Sequence, residues 1–162
     1  MADFQIRMNT QSLGELNKRL AKLLQNAEHM EPVWRQAAEY MVRSTQNRIN
    51  RIQTDPNGVP WERLAQLTVE LKGNDWPLYA TGKLVKGIQV ADVNNNGFRI
   101  ESTALNSDGE GYSTFLQHGV QNSRGKFKKK SGPHSPARPF MGFSKENVAR
   151  ISKMVRDHIA SH

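Results

Sequence analysis

Apolar residues recur every three or four positions in two stretches of the first third of the chain. The leucines between positions 13 and 23 predict a first helix that ends near Asn26, with Ser12 as its N-terminal cap. Pro32 suits the first turn of a second helix, which a longer apolar stripe extends to about Gln53. The stripe consists of Val33, Ala37, Met41, Thr45, Ile49 and Ile52, whereas Arg35, Arg43, Arg48 and Arg51 lie off it.

Apolar and polar residues alternate in two other places, and this alternation predicts short strands. Residues 3–9 have the pattern of a half-buried strand. Residues 88–93 and 97–103 alternate on either side of a tight turn at 94–97, which is typical of a β-hairpin.

The remaining segments carry shorter signals. Residues 61–67 favour a helical turn, residues 83–88 a short helical or extended piece, and residues 106–115 a loop. Ser144 is placed to cap a last helix. One face of that helix would hold Val148, Ile151, Val155 and Ile159. Together these elements predict the α+β class: a small antiparallel sheet with a β-hairpin packed by two or three α-helices, in one domain over residues 1–162.

The formal net charge of +8 lies in the last quarter of the chain. Residues 1–117 hold 13 acidic and 13 basic side chains, whereas residues 118–162 hold ten basic residues against Glu146 and Asp157. Such asymmetry indicates a basic face or arm that meets nucleic acid or an acidic protein surface.

A basic loop at about residues 121–135 is the main nucleic-acid signal. Its Ser, Gly and Lys content predicts mobility. A base can stack on Phe127 while lysines contact phosphates, so a small nucleic-acid-binding module is the alternative function. Acidic proteins attract the same lysines, and nucleic acid is the less favoured partner. The lysines are Lys126, Lys128, Lys129 and Lys130.

Signals for catalysis and for cofactors or metals are weak. The sequence has no cysteine and no phosphate-binding or dinucleotide motif, and its five histidines form no metal-ligand constellation. His118 is a candidate base without an evident partner, and a metal-assisted enzyme is the remaining enzymatic alternative. Residues 106–111 resemble the start of a calcium loop, but Gln117 stands where a bidentate glutamate is needed, so an acidic turn is favoured. The sequence therefore predicts a non-enzymatic protein with no cofactor.

No long apolar run is present, either at the start of the chain or elsewhere. A signal peptide needs an apolar core, and a membrane span needs about twenty apolar residues. We expect a soluble protein that stays in the cytoplasm and has no membrane partner. The tryptophans at 34, 61 and 76 are expected to anchor the core with the indole N–H near its rim, and Trp76 is the best placed for an interface.

Four segments in order resemble the phage virion morphogenesis family, which is typified by the G protein of Mu-like phages. They are GVPWERLAQLT at 58–68, LYATGKLVKGI at 78–88, YSTFLQHGV at 112–120 and PARPFMGFS at 136–144. The resemblance covers about residues 58 to 160. The lysine-rich loop varies between members, so the resemblance assigns it no role.

The resemblance implies a structural role in tail completion or head–tail joining. It also implies a ring of identical subunits, such as a hexamer, with other tail or neck proteins as partners. Such a protein is expected in the host cytoplasm during assembly and then in the virion at the tail or head–tail junction.

The segment at 136–144, here called the strap, is stiff because two prolines fix its backbone. Phe140 and Phe143 are expected to fill apolar pockets while Arg138 pairs with a carboxylate or carbonyl. The strap docks either on its own domain or on a neighbouring subunit, and the sequence leaves both open. An intersubunit role predicts that Arg138→Ala weakens particle assembly more than it lowers the melting temperature.

Overall fold

The computed structural model describes residues 10–105, 109, 111–119 and 136–161, with side chains from residue 14 onward. The strand expected at residues 3–9 and the basic loop expected at 121–135 lie outside the described residues. The candidate interaction residues Lys126, Phe127, Lys128, Lys129 and Lys130 lie outside them as well.

The two predicted N-terminal helices are present. Helix α1 spans Thr10–Glu28 and helix α2 spans Glu31–Asn47. Helix α1 begins before Ser12, so the prediction of Ser12 as its cap is wrong. Helix α2 continues into one π-helical turn, Arg48–Ile52, and the chain leaves it through Gln53 in the left-handed conformation, with φ 58°. The predicted end near Gln53 is confirmed.

The predicted stripe on α2 is the buried face of that helix. Five of its members, Val33, Ala37, Met41, Thr45 and Ile49, are buried. Ile52, at the end of the π-helical turn, is exposed. Arg48 is buried too, so the prediction that it lies off the stripe is wrong. Its position three residues after Thr45 puts it on the same side of the helix.

The predicted β-hairpin is confirmed. Strand β1 spans Ile88–Asn94 and pairs antiparallel with β2, Gly97–Ser102. The register shifts between Val90 and Asp92, as at a β-bulge. Both strands pack against α2, so the hairpin and this helix form the two layers of the fold.

Three short helices connect the main elements. They are α3, Gln66–Lys72; α4, Lys83–Lys86; and α5, Ser113–His118. The helical turn expected at residues 61–67 starts only at Gln66, because Trp61 is used in the core instead. Residues 113–115, expected in a loop, belong to α5.

Helix α6, Lys145–Ala160, starts at a capping box as predicted. The Ser144 Oγ accepts a hydrogen bond from the backbone N–H of Asn147, and Asn147 Oδ1 accepts one from the N–H of Ser144. Its expected apolar face is only half-buried, and Val148 is exposed. The fully buried position is the neighbouring Asn147, because this face meets polar groups of α2.

The core joins residues that are far apart in sequence. Its main cluster consists of Ile49, Trp61, Leu84, Ile88, Ala104 and Phe140. Six helices and one two-stranded antiparallel sheet in the described residues confirm the α+β class.

Candidate interaction surface

The strap docks on its own domain at two of its three candidate interaction residues. Arg138 is 6% exposed and Phe140 is 0% exposed. The backbone N–H of Arg138 donates to the Leu116 carbonyl at 2.8 Å. Its guanidinium donates from Nε to the Glu62 carbonyl at 3.1 Å, and from Nη2 to the Arg63 carbonyl at 3.4 Å. The side chain therefore pairs with carbonyls, one of the two partner types expected from the sequence.

Two further side chains hold the middle of the strap. The Gln117 Oε1 accepts hydrogen bonds from the backbone N–H groups of Phe140 and Met141 at 3.0 and 3.1 Å, and its Nε2 donates to the Met141 carbonyl at 2.9 Å. On the other side, Trp61 Nε1 donates to the Pro139 carbonyl at 2.9 Å. The backbone of the strap is thus hydrogen-bonded by an amide side chain and an indole, which take the place of a neighbouring β-strand.

Arg48, on the side of helix α2, binds the C-terminal part of the strap. Its Nη1 donates to the Phe140 carbonyl at 2.6 Å and to the Gly142 carbonyl at 3.3 Å, and its Nη2 donates to Asn147 Oδ1 at 3.2 Å. A buried guanidinium needs several acceptors to offset its lost hydration, and these three supply them.

Asn147 connects the clamp to helix α2. Its Nδ2 donates to the Tyr40 hydroxyl at 2.9 Å and to the Ser44 hydroxyl at 2.8 Å. Its Oδ1 accepts from Arg48 and from the N–H of Ser144. One side chain therefore ties together the strap, the start of α6 and α2.

Burial shifts the titration of the cations around the strap. Loss of hydration lowers the pKa of Arg48 and of Arg138, with Asp55 opposing this for the first and Glu62 for the second. The pKa of Lys72 is lowered by burial and then by the positive charge of Arg138. The ion pairs within the described residues involve other side chains, so carbonyl and amide oxygens stabilise these cations.

Phe143, the third candidate residue of the strap, is 57% exposed. Its ring lies 6.3 Å from that of Phe98, which in turn lies 6.1 Å from Trp34. These three rings form an aromatic row on the surface, and Trp34 Nε1 donates to the Asn95 carbonyl at its edge. Phe143 therefore lies where a partner can reach it.

The other two tryptophans differ. Trp61 is buried and bonds through its indole N–H, as expected for a core anchor. Trp76 is exposed and stands edge-on to Tyr79, with ring centroids 5.7 Å apart. The exposure of Trp76 agrees with its choice as the tryptophan best placed for an interface.

Two exposed leucine faces flank this rigid centre. On α1, the leucines at positions 16, 20, 23 and 24 are exposed, and Leu24 is 63% exposed. On α3, Leu67 is exposed and Leu71 is 81% exposed. Amphipathic helices normally bury such faces, so both are unpartnered within the described part of the chain.

The phage virion morphogenesis family matches residues 11–160 of the chain. The chain belongs to this family. No match was found among curated proteins or among solved structures. Membership of the family supports a phage structural or assembly role and confirms the resemblance that the four segments indicated.

The segments that carry the resemblance meet in space. Trp61, Leu84, Ile88 and Phe140 come from three of them and share one core cluster. Gln117, from the remaining segment, binds the backbone of Phe140. These family-like residues therefore mainly build the domain and seat the strap.

Arg48 and Asn147 are the site residues that sequence reasoning missed. The spacing places Arg48 on the same side of the helix as Thr45, but its acceptors come from the distant strap, so no local signal indicates its burial. An asparagine three residues after a Ser cap can replace the usual Glu or Gln of a capping box.

The structure offers no further support for metal or catalytic chemistry among the residues it describes. No group of three potential ligands that could hold a metal ion occurs in residues 10–105, 109, 111–119 and 136–161. Asn106, Asp108 and Glu110 of the calcium-like segment lie outside those ranges. Gln117 uses its amide to hold the strap. His118 ends α5. Within the same ranges, no helix is long and apolar enough to cross a membrane.

Proposed function

We propose that this protein completes the phage tail or joins it to the head, as a non-enzymatic ring of identical subunits. The match to the phage virion morphogenesis family over residues 11–160 carries the proposal. The protein would be made in the host cytoplasm and end in the virion, at the tail or the head–tail junction.

The contacts around the strap are consistent with a rigid assembly part. A subunit that must fit between fixed neighbours loses least entropy when its own segments are already ordered. Two prolines, the Gln117 amide and the Arg48 guanidinium order the strap within one subunit. The exposed Phe143 and the leucine faces then remain for contacts with other subunits or with tail and neck proteins.

The decisive experiment is electron microscopy of phage particles from which the gene has been deleted. Full heads lying apart from assembled tails would support joining or completion, whereas overlong tails would indicate control of tail length instead. Plasmid-borne expression of the intact protein should restore infectious particles and serves as the control.

Normal infectious particles from the deletion would overturn the assembly proposal. Duplex and single-stranded DNA binding by the purified protein would then be measured, since the basic loop is the alternative. Binding through phosphate contacts falls steeply as salt is raised.

A further inference from the structure

We propose that the leucine face of α1 docks on the α3 face of the next copy of the same chain. The α1 face is formed by Leu16, Leu20, Leu23 and Leu24, and the α3 face by Leu67 and Leu71. The proposal rests on the proposed function, because it supplies the contact that would close a ring of identical subunits.

Within the described residues, the hydrogen bonds that hold helix α1 to the rest of its subunit lie near its C-terminal end. Asn26 Nδ2 donates to the carbonyls of Ile159 and Ser161 at 3.1 and 2.8 Å, and the His158 ring hydrogen-bonds the His29 carbonyl at 2.8 Å. Its main packing partner in the described residues is α6. From residue 14 onward, the leucines of α1 are therefore exposed within the described part of the chain.

The spacing of the α1 leucines fits a helical partner. The leucines at positions 13, 16, 20 and 23, followed by Ala27, alternate steps of three and four, which is the pattern that packs one helix against another. Helix α3 offers a short matching face, since Leu67 and Leu71 are one turn apart on the same side.

The exposed charges beside the two faces favour this pairing. Lys18, Arg19 and Lys22 lie beside the α1 leucines, with Glu15 toward the helix start. Glu62, Glu70 and Asp75 lie around α3, together with Arg63 and with Lys72, whose Nζ donates to the Trp76 carbonyl at 2.6 Å, so this stretch carries a net charge of −1. None of these flanking charges takes part in an ion pair of the described structure.

The same charges disfavour pairing of α1 with a second α1. A two-fold contact would bring the Lys18, Arg19 and Lys22 clusters of both copies together, and like charges repel at such distances. A contact between two different faces of one chain is head-to-tail, and it forms a closed ring when the rotation between copies closes.

The two faces are smaller than a standard interface. Helix α3 has 7 residues and spans about 10 Å, so it covers only about a third of the 19-residue α1. Stable pairs commonly bury about 800 Å² on each partner. A ring compensates because every copy is held by two neighbours at once.

Two charge-introducing variants test the contact. Variant one is Leu20→Glu with Leu24→Glu on α1, and variant two is Leu67→Glu with Leu71→Glu on α3. By light scattering after size exclusion, we expect the wild-type chain to associate and each variant alone to be monomeric. An equimolar mixture should form 1:1 dimers at high protein concentration, because variant one keeps an intact α3 face and variant two keeps an intact α1 face. These dimers should be weaker than the wild-type assembly, since each is held by a single contact.

Three results would overturn the proposal. The wild-type chain could remain monomeric at all concentrations, either variant alone could still assemble, or the mixture could fail to pair. Association of variant two but not variant one would assign α1 to pairing with α1. A large drop in the melting temperature of variant one would show that its own chain covers the α1 leucines.

A charge exchange gives a matched control with little change in folding. Lys22→Glu should weaken association about tenfold, as should Glu70→Lys, and the two changes together should recover most of the loss. No recovery would refute the pairing of the two faces with Lys22 opposite Glu70 of the next copy. Failure of these assays while the deletion still blocks head–tail joining would leave the proposed function intact and reject only this contact.

Discussion

Replacing Arg138 with alanine tests whether the strap serves its own domain. The change removes the bonds from Nε to the Glu62 carbonyl at 3.1 Å and from Nη2 to the Arg63 carbonyl at 3.4 Å. The backbone bond to Leu116 remains in the variant. Since the side chain is 6% exposed, the change also leaves a cavity where its carbon stem packs.

The expected cost of Arg138→Ala is about 3 kcal/mol of unfolding free energy. The shorter bond from a charged donor contributes about 2 kcal/mol and the longer one about 1 kcal/mol. Lost packing of the stem adds about 1 kcal/mol, and removal of a poorly hydrated charge offsets about as much. A domain of this size should melt about 6 to 12 °C lower.

Arg138→Met separates the polar contribution from the packing contribution. Methionine keeps most of the stem and carries no charge to hydrate, so it should recover the packing contribution, and we expect a loss of about 2 kcal/mol. Urea unfolding of the purified chain measures both variants. Particle assembly is scored by complementation of the gene deletion, with infectious titre as the measurement.

Val33→Ala is the matched stability control. Val33 is buried on α2, outside the strap, and the change should cost about 2 kcal/mol. If Arg138 only supports its own domain, infectious titre should depend on unfolding free energy in the same way for Arg138→Ala, Arg138→Met and Val33→Ala, so that all three fall on one line. A titre for Arg138→Ala far below that line would restore an intersubunit role, and an unchanged unfolding free energy would refute the structural reasoning itself.

Three further changes probe the rest of the site and the fold. Asn147→Ala should lower the unfolding free energy by about 3 kcal/mol in urea, whereas Asn147→Asp keeps an acceptor for the buried guanidinium and should cost about half as much. Gly87→Ala should cost about 2 kcal/mol, because the new Cβ would lie 2.8 Å from the backbone nitrogen of Ala104. The control Gly14→Ala meets nothing within 4 Å in α1 and should stabilise the chain by about 0.5 kcal/mol. Burial raises the pKa of Tyr112, so the unfolded chain loses this proton first and stability falls as the pH rises above about 10. Tyr112→Phe should reduce that alkaline loss in pH-dependent unfolding, and an unchanged slope would refute the assignment.

Elements whose pattern depends on local spacing could be predicted from the sequence. The buried stripe of α2 is visible in the sequence because one residue in each turn packs toward the hairpin. The hairpin is visible because the alternation of its strands and its tight turn are both local patterns. Ser144 could be assigned as a cap because its hydrogen bond closes within three residues. The start of α1 was missed by a single turn, since helix ends are set by few interactions.

Features that depend on distant partners could not be predicted. Arg48 is buried because strap carbonyls, 92 and 94 residues away along the chain, supply its acceptors. Asn147 is buried because hydroxyls of α2 meet it across the same site. Periodicity carries no information about such partners, so a cation or amide on a helix is assigned to the surface by default.

The conformation of the strap could be predicted from the sequence, whereas the position at which it docks could not. Its prolines and the residue before the second one specify an extended backbone from sequence alone. Where that backbone lies depends on Gln117 and Trp61, whose side chains bind it in place of a neighbouring strand. Most of the backbone polar groups of residues 138–141 are hydrogen-bonded within one subunit, so few of them are free to bind a partner. Among the described residues, Phe143 and the leucine faces of α1 and α3 remain exposed and are available for contacts between subunits.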